Sequence, residues 1–416
     1  MSKSLIVNVG TEDITDNNTA WQYLTTDLNE NTILEERREI PIREAGTFAN
    51  LYCFVVSNTA SVTSVLTFRK SRANTSLTVS YTSDQTGIKE DNSNTASFAS
   101  TDEATWQWVI PSEVGTNTLS INALAVDFTP DTVSNCISFF CGGGTTGFST
   151  ASVTYYAPPS TCLAFVSSET EIKFRIRQSF TSTNFSAFSF SNLRTTNTTV
   201  GTRVNGNNGN QSVTYSSGQS GAKEDTSNTD SLSAGNDYNY YITTGTGTEQ
   251  SGILSLVTRV VNTSGYFQLI NSLASGGSVA ANTIVYTGIN GEMLFNTTEA
   301  NRSMYPRFTF TASELGSYVS ANTGASLATN ITVRDNGGSS AVTVQYLAGQ
   351  TGLKNDSSNT TEITSGTDEI NYMVQCLDLT GGVTITWIGC LGETSGGAPP
   401  PSVAKQIPTL LLMNVG

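Results

Sequence analysis

Three short polar segments hold the residues best suited to chemistry: QTGIKEDNSNT (85–95), QSGAKEDTSNT (219–229) and QTGLKNDSSNT (350–360). Each sets a glycine (Gly87, Gly221, Gly352), then a lysine (Lys89, Lys223, Lys354) and an aspartate (Asp91, Asp225, Asp356) before hydroxyl and amide side chains. Carboxylate, amide and hydroxyl oxygens could hold calcium, which takes about six to eight oxygen ligands. The same groups could touch a glycan. They also suit a structural turn, in which glycine supplies positive φ and aspartate accepts from the amides of the following Ser-Asn-Thr. Lysine would then pair with the neighbouring carboxylates. The turn reading is favoured, with ligand contact and calcium as its alternatives.

Other chemistry is thinner. Asp102–Glu103 and Asp368–Glu369 offer carboxylate pairs of the kind that hydrolyse glycosides. Adjacent strand residues point to opposite faces, so neither pair can straddle one bond. Histidine is absent, which removes Ser-His-Asp and Cys-His catalysis and histidine-ligated metals. The six cysteines (Cys53, Cys136, Cys141, Cys162, Cys376, Cys390) show no CxxC spacing. They read as free thiols packed as small hydrophobes, and Cys136 and Cys141 could bridge only across a turn. Neither a catalytic set nor a cofactor is expected.

The elements that carry these segments repeat with them. The three glycines lie 134 and 131 residues apart. Upstream of each comes a strand with arginine, an Asn- or Gly-rich turn, and a strand ending in Tyr81, Tyr215 or Tyr346. Downstream come an acidic turn and an aromatic strand, with Trp106 and Trp108, Tyr240 and Tyr241, or Tyr372. Those rings suit either a sandwich core or a sugar-stacking platform, and the core is favoured. Alternating β-branched and hydroxylated residues between Gly, Asn and Asp mark short strands and tight turns. The expected fold is all-β, with three tandem antiparallel β-sandwich, jelly-roll-like modules of about 130 residues each. Their bounds are 1–132, 133–264 and 265–395, followed by a Gly/Pro linker and C-terminal strand at 396–416.

The net charge is −14, from 20 basic and 34 acidic residues, which argues against a nucleic-acid partner. The N-terminal MSKSLIVNVG has too short an apolar run for a secretory signal or a membrane span. Synthesis in a host cytoplasm without an anchor is expected.

The clearest copy of the repeat, TRVNGNNGNQSVTYSSGQSGAKEDTSNTDSLSAGND (202–237), resembles modules of tailed-phage virion structural proteins: head-decoration, fibre or tail-associated. The resemblance covers about a third of each module and rests on turn chemistry. The first and third modules depart from it, the first with KSRANTS in place of Asn-Gly. It implies jelly-roll domains in a non-enzymatic virion protein, most simply a capsid decoration or cement protein. The major capsid protein or other virion subunits would be its partners, with self-association and a virion location. The alternative is a glycan-binding adhesin, such as a receptor-binding fibre or cell-surface layer protein.

One apolar strand recurs four times, around Ile6, Ser138, Leu269 and Leu411. It is expected to link each module to the next. The last copy (Ile407, Leu410, Leu411, Leu412, Met413, Val415) follows a stiff Pro-rich linker and is expected to add as a strand to a neighbouring subunit.

Overall fold

A computed structural model describes residues 4–15, 18–22, 35, 38–111, 118–131, 136–143, 147–160, 165–306 and 308–393. The C-terminal strand proposed at Ile407–Val415 lies outside them. In the first repeat one sheet runs β1 (Ser4–Thr15), β9 (Thr118–Pro130), β4 (Gly46–Asn58), β7 (Gly87–Phe98). The other runs β2 (Asn18–Gln22), β8 (Glu103–Ile110), β5 (Ser64–Lys70), β6 (Ala73–Tyr81), with β3 (Ile40–Pro41) on β8.

The second repeat has β10 (Cys136–Gly143), β19 (Ser251–Asn262), β14 (Phe180–Asn192) and β17 (Gly221–Leu232) in one sheet. Its other sheet has β12 (Thr154–Ala157), β18 (Asp237–Thr243), β15 (Thr198–Val204) and β16 (Asn207–Tyr215). Short β11 (Gly147–Phe148) and β13 (Phe174–Arg175) join β19 and β18. The third repeat has β20 (Tyr266–Val279), β28 (Val383–Glu393), β23 (Phe310–Asn322) and β26 (Gly352–Ile363), with β22 (Gly291–Glu292) beside β20. Its second sheet is β21 (Thr283–Thr287), β27 (Ile370–Cys376), β24 (Thr329–Asp335), β25 (Gly338–Tyr346).

Counting the eight principal strands of a repeat in chain order, the sheets read 1-8-3-6 and 2-7-4-5 every time. That is the double-sheet connection of a jelly roll. Alternation drives it. In β6, β16 and β25 the residues before the closing tyrosine switch between exposed and buried, as a half-buried strand requires. The inward faces supply aromatic cores, such as Phe48 with Phe68, Phe98 and Phe128 at centroid distances of 4.8, 4.6 and 4.5 Å.

The apolar strand at Ile6, Ser138 and Leu269 pairs inside its repeat, β1, β10 and β20 each with the last strand of their own, and these strands also meet across the repeat boundaries, β1 with β10, β10 with β20 and β1 with β22. Cys136 and Cys141 lie on one extended strand, opposite Asn262 and Val257, so no turn brings them together.

The repeats also share cores. Leu254 and Val257, with Phe188 and Phe190, pack into the core of the first repeat. Ile270, Trp387 and Leu391 pack into that of the second. Tyr52, Ala123 and Ala125, with Phe54, pack into that of the third. Phe54, Phe188 and Tyr318 hold one register position, opposite Ala123, Ser255 and Trp387. The same sheet face of each repeat therefore covers its neighbour, second on first, third on second, first on third. A head-to-tail contact of this kind closes into a ring when the rotation permits, and here it closes at three.

Candidate functional site

The repeated segments sit on edge strands β7, β17 and β26, each beside the long strand β4, β14 or β23. They are not connecting loops, which corrects the turn expected at 85–95, 219–229 and 350–360. The turn lies just before them and ends at the glutamine: Gln85, Gln219 and Gln350 accept from the amides of Thr82, Ser216 and Leu347 at 3.1, 2.9 and 2.9 Å. Gly87, Gly221 and Gly352 then take φ of 93°, 95° and 88°, a region that favours glycine.

The aspartate marks a bulge. Leu51 pairs with Asp91 but Ala49 with Thr95, so Asn50 alone faces residues 92–94. The same step recurs between Thr183 and Phe185 and between Ser313 and Leu315. Asn50, Asn184 and Glu314 absorb it at φ of 56°, 52° and 53°. Inside the bulge the Asp91 carboxylate accepts from the amides of Ser93 and Asn94 at 3.2 and 3.1 Å. It also accepts from the Thr78 amide, on the other sheet, at 3.1 Å. Asn94 Nδ2 clamps both oxygens at 3.1 and 2.9 Å. Asp225 and Asp356 repeat the set with Ser212, Ser227 and Asn228, and with Thr343, Ser358 and Asn359.

The three carboxylates are 7%, 8% and 7% exposed. Burial pushes each pKa up, but the hydrogen bonds, led by Asn94, Asn228 or Asn359, outweigh it and hold the group below its ordinary range. The surrounding groups are N–H and O–H donors, the opposite polarity to a calcium shell. What the arrangement does is tie the two sheets of a sandwich at one corner.

The lysines do not pair with carboxylates as expected. Lys89, Lys223 and Lys354 donate to the carbonyls of Ser80, Thr214 and Gln345. Each ammonium lies 5.2 Å from the ring centre of Tyr81, Tyr215 or Tyr346. Each tyrosine hydroxyl is buried against the carbonyl of that repeat's glycine, at 3.0, 3.1 and 3.0 Å. The lysine thus caps an aromatic whose polar end is already spent.

A second repeated constellation escaped sequence reasoning. Arg69, Arg203 and Arg334 each grip a glutamate (Glu35, Glu169, Glu299) with two hydrogen bonds of 2.8 to 3.0 Å. Each guanidinium stacks on Trp21, Tyr156 or Tyr286 at 5.0, 5.4 and 5.8 Å. The arginines stood out in sequence. The glutamates sit 34 or 35 residues upstream in unlike surroundings, and only their spacing could have signalled them.

The other candidates are scaffold. Trp106, Trp108, Tyr240 and Tyr372 are wholly buried and Tyr241 nearly so, which leaves no sugar platform on those strands. Asp102 accepts from the Ala99 amide at 2.6 Å, and Asp368 from the Thr364 amide at 2.5 Å. Both are turn caps. Cys53, Cys376 and Cys390 are free and buried. Among the described residues no helix is long and apolar enough to cross a membrane.

No established protein family matches the chain. Nor does any curated protein. Among solved structures it is similar to a Paenibacillus xanthan lyase, at 15% identity and a TM-score of 0.18. That alignment covers 67% of this chain and 30% of the lyase, so the chain spans less than a third of it. It is also similar to a chain of the Sulfolobus turreted icosahedral virus, at 12% identity and a TM-score of 0.17, covering 92% of this chain and 90% of that one.

Proposed function

We propose that the chain is a non-enzymatic structural protein of a virion, a decoration or cement subunit that sits over a local three-fold position of a capsid. The observation that carries this reading is the closed head-to-tail packing of three jelly rolls, which gives one chain the pseudo-symmetry of a trimer. The repeated carboxylates of Asp91, Asp225 and Asp356 serve that scaffold as clamps between the two sheets. The partners are the major capsid protein and other subunits, with the C-terminal strand (Ile407–Val415) as the docking element. A net charge of −14 suits a soluble, crowded exterior and not a nucleic acid.

Co-sedimentation with purified capsids that lack the protein tests this. Saturable binding at about one chain per three-fold position supports it. Binding to a glycan array without capsid binding would transfer the case to an adhesin.

A further inference from the structure

The groove between the first and second repeats carries charge that the other two repeats neutralise for themselves. Glu39, Arg72 and Glu103 line it on one side, and Phe188, Phe190 and Gly221 on the other, around a cavity of about 350 Å³. Register makes the comparison direct. Glu103 lies opposite Pro41, and Asp237 opposite Arg175. The bridge between Met304 and Ile370 sets Tyr305 in the same place beside Glu369. Arg175 Nε donates to Asp237 at 2.5 Å, and the Tyr305 hydroxyl donates to Glu369. Pro41 has no donor to give. The Glu103 carboxylate makes no hydrogen bond or ion pair with the described residues.

Two positions before Pro41, Arg175 and Tyr305 stand Glu39, Lys173 and Ser303. The first repeat thus places a second acid where the others have a cation or a hydroxyl. The Glu39 side chain is 4% exposed; Arg72 Nε meets one oxygen at 3.1 Å, and Oε1 is buried with no partner. A buried carboxylate oxygen left open is costly unless something pairs with it. Burial pushes the Glu39 carboxyl up to about 7, the Glu103 charge adds to this, and Arg72 opposes it.

We propose that this groove binds an organic cation, an ammonium or guanidinium group, held between Glu39 and Glu103 against Phe188 and Phe190. Two carboxylates supply charge-assisted acceptors, and aromatic side chains favour such cations. A bare metal ion would want more oxygen ligands than this wall offers. A free polyamine and the lysine or arginine side chain of a partner protein share the chemistry. Among the described residues the charged groups facing Glu39 are Glu103, Arg72 and Glu35, the last held by Arg69. The second repeat adds Phe188, Ser189 and Phe190, which do not titrate, while its Glu224 is taken by Arg43. A bound cation favours the ionised form of Glu39, so affinity falls as pH drops below about 7.

Calorimetric titration of the full chain with spermidine, N-acetylarginine amide and calcium chloride, at pH 8 and pH 6, tests this. The expected result is one saturable site per chain for at least one organic cation. A response to both marks a free-amine site, and to the arginine amide alone a partner side chain. Affinity drops about tenfold or more in Glu103→Gln and in Glu39→Gln, and holds in Glu362→Gln on the third repeat. It weakens at pH 6 in the unaltered chain but not in Glu39→Gln. Should Glu39→Gln fail to fold, Glu103→Gln alone decides. Absence of binding, binding that survives the groove substitutions, or calcium binding in place of the organic cations overturns the proposal.

Discussion

Removing the Asp225 carboxylate would leave the amides of Ser212, Ser227 and Asn228 without their acceptor. Buried donors left unpaired cost about 1–3 kcal/mol each, and relaxation toward water recovers part of that. Asp225→Ala is expected to lower stability by about 2 kcal/mol in urea unfolding. Chelator and added calcium should both leave the melting temperature unchanged. The pH dependence has a definite sign. The folded pKa lies below the free value of 3.8, so the carboxylate's contribution is complete above about pH 4 and is lost as pH falls through the folded pKa. Acid should therefore cost the unaltered chain more than a triple Asp→Asn variant at 91, 225 and 356. The residue scale also exposes a break in the pattern. Arg43 binds Glu224 with a 2.7 Å bond from Nε, and Glu224 pairs across strands with Ser186. One repeat later, the Arg177 guanidinium lies against Gly316, whose strand partner is Asn355. Burial pushes Arg177 down to about 10, and two of its nitrogens are buried without a partner. Asn355→Glu should restore the pair and stabilise the protein by about 1 kcal/mol, read as a rise in melting temperature. The substituted residue is visible in sequence, as KND against KED. What it lacks is visible only once the neighbouring repeat is in place.

Edge strands explain why the repeated segment looked like a loop. In β17 the inward positions toward the core include Asp225 and Asp230, with Leu232 as the apolar anchor. Hydrophobic alternation is therefore missing from a true strand, and serine, asparagine and aspartate spell turn chemistry instead. The strands with apolar inward faces, such as β9 and β19, were legible, and so was the three-fold recurrence of the whole set. The first strand of each repeat was legible as an element but not as to its partner. Periodicity tells which face is apolar, whereas pairing depends on the return path of the chain. β1 is a sheet edge, and a fourth strand of the same type at Ile407–Val415 would need an edge of its own. Deleting residues 402–416 should leave cooperative melting near the original temperature and abolish assembly, as judged by light scattering and sedimentation. Truncation that instead unfolds the third repeat while assembly persists would discard the docking role.

At the scale of the whole molecule, what matters is that no repeat owns its core outright. Trp387, from the third repeat, lies in the core of the second, edge-on to Phe174 at 5.2 Å. Trp387→Ala should cost about 3–5 kcal/mol and speed hydrogen exchange in the second repeat as well as the third. The Arg259–Glu44 pair, at 2.6 Å across the first and second repeats, adds a polar tie; Glu44→Gln should cost about 1.5–3 kcal/mol. Three similar modules in one chain already suggested the form of a trimer, but the residues that close it were not readable, because outer-face residues such as Ala123, Ser255 and Trp387 are unlike in size and polarity. They complement different neighbours and so show no common motif. The most direct test of the proposed role is electron cryomicroscopy of the particle that carries this protein, reconstructed without averaging over the local three-fold. The account predicts one chain at that position, its three sandwiches spaced around the axis and distinguishable by their differing side chains. Three separate chains around the axis, or density confined to a fibre or tail, would contradict it.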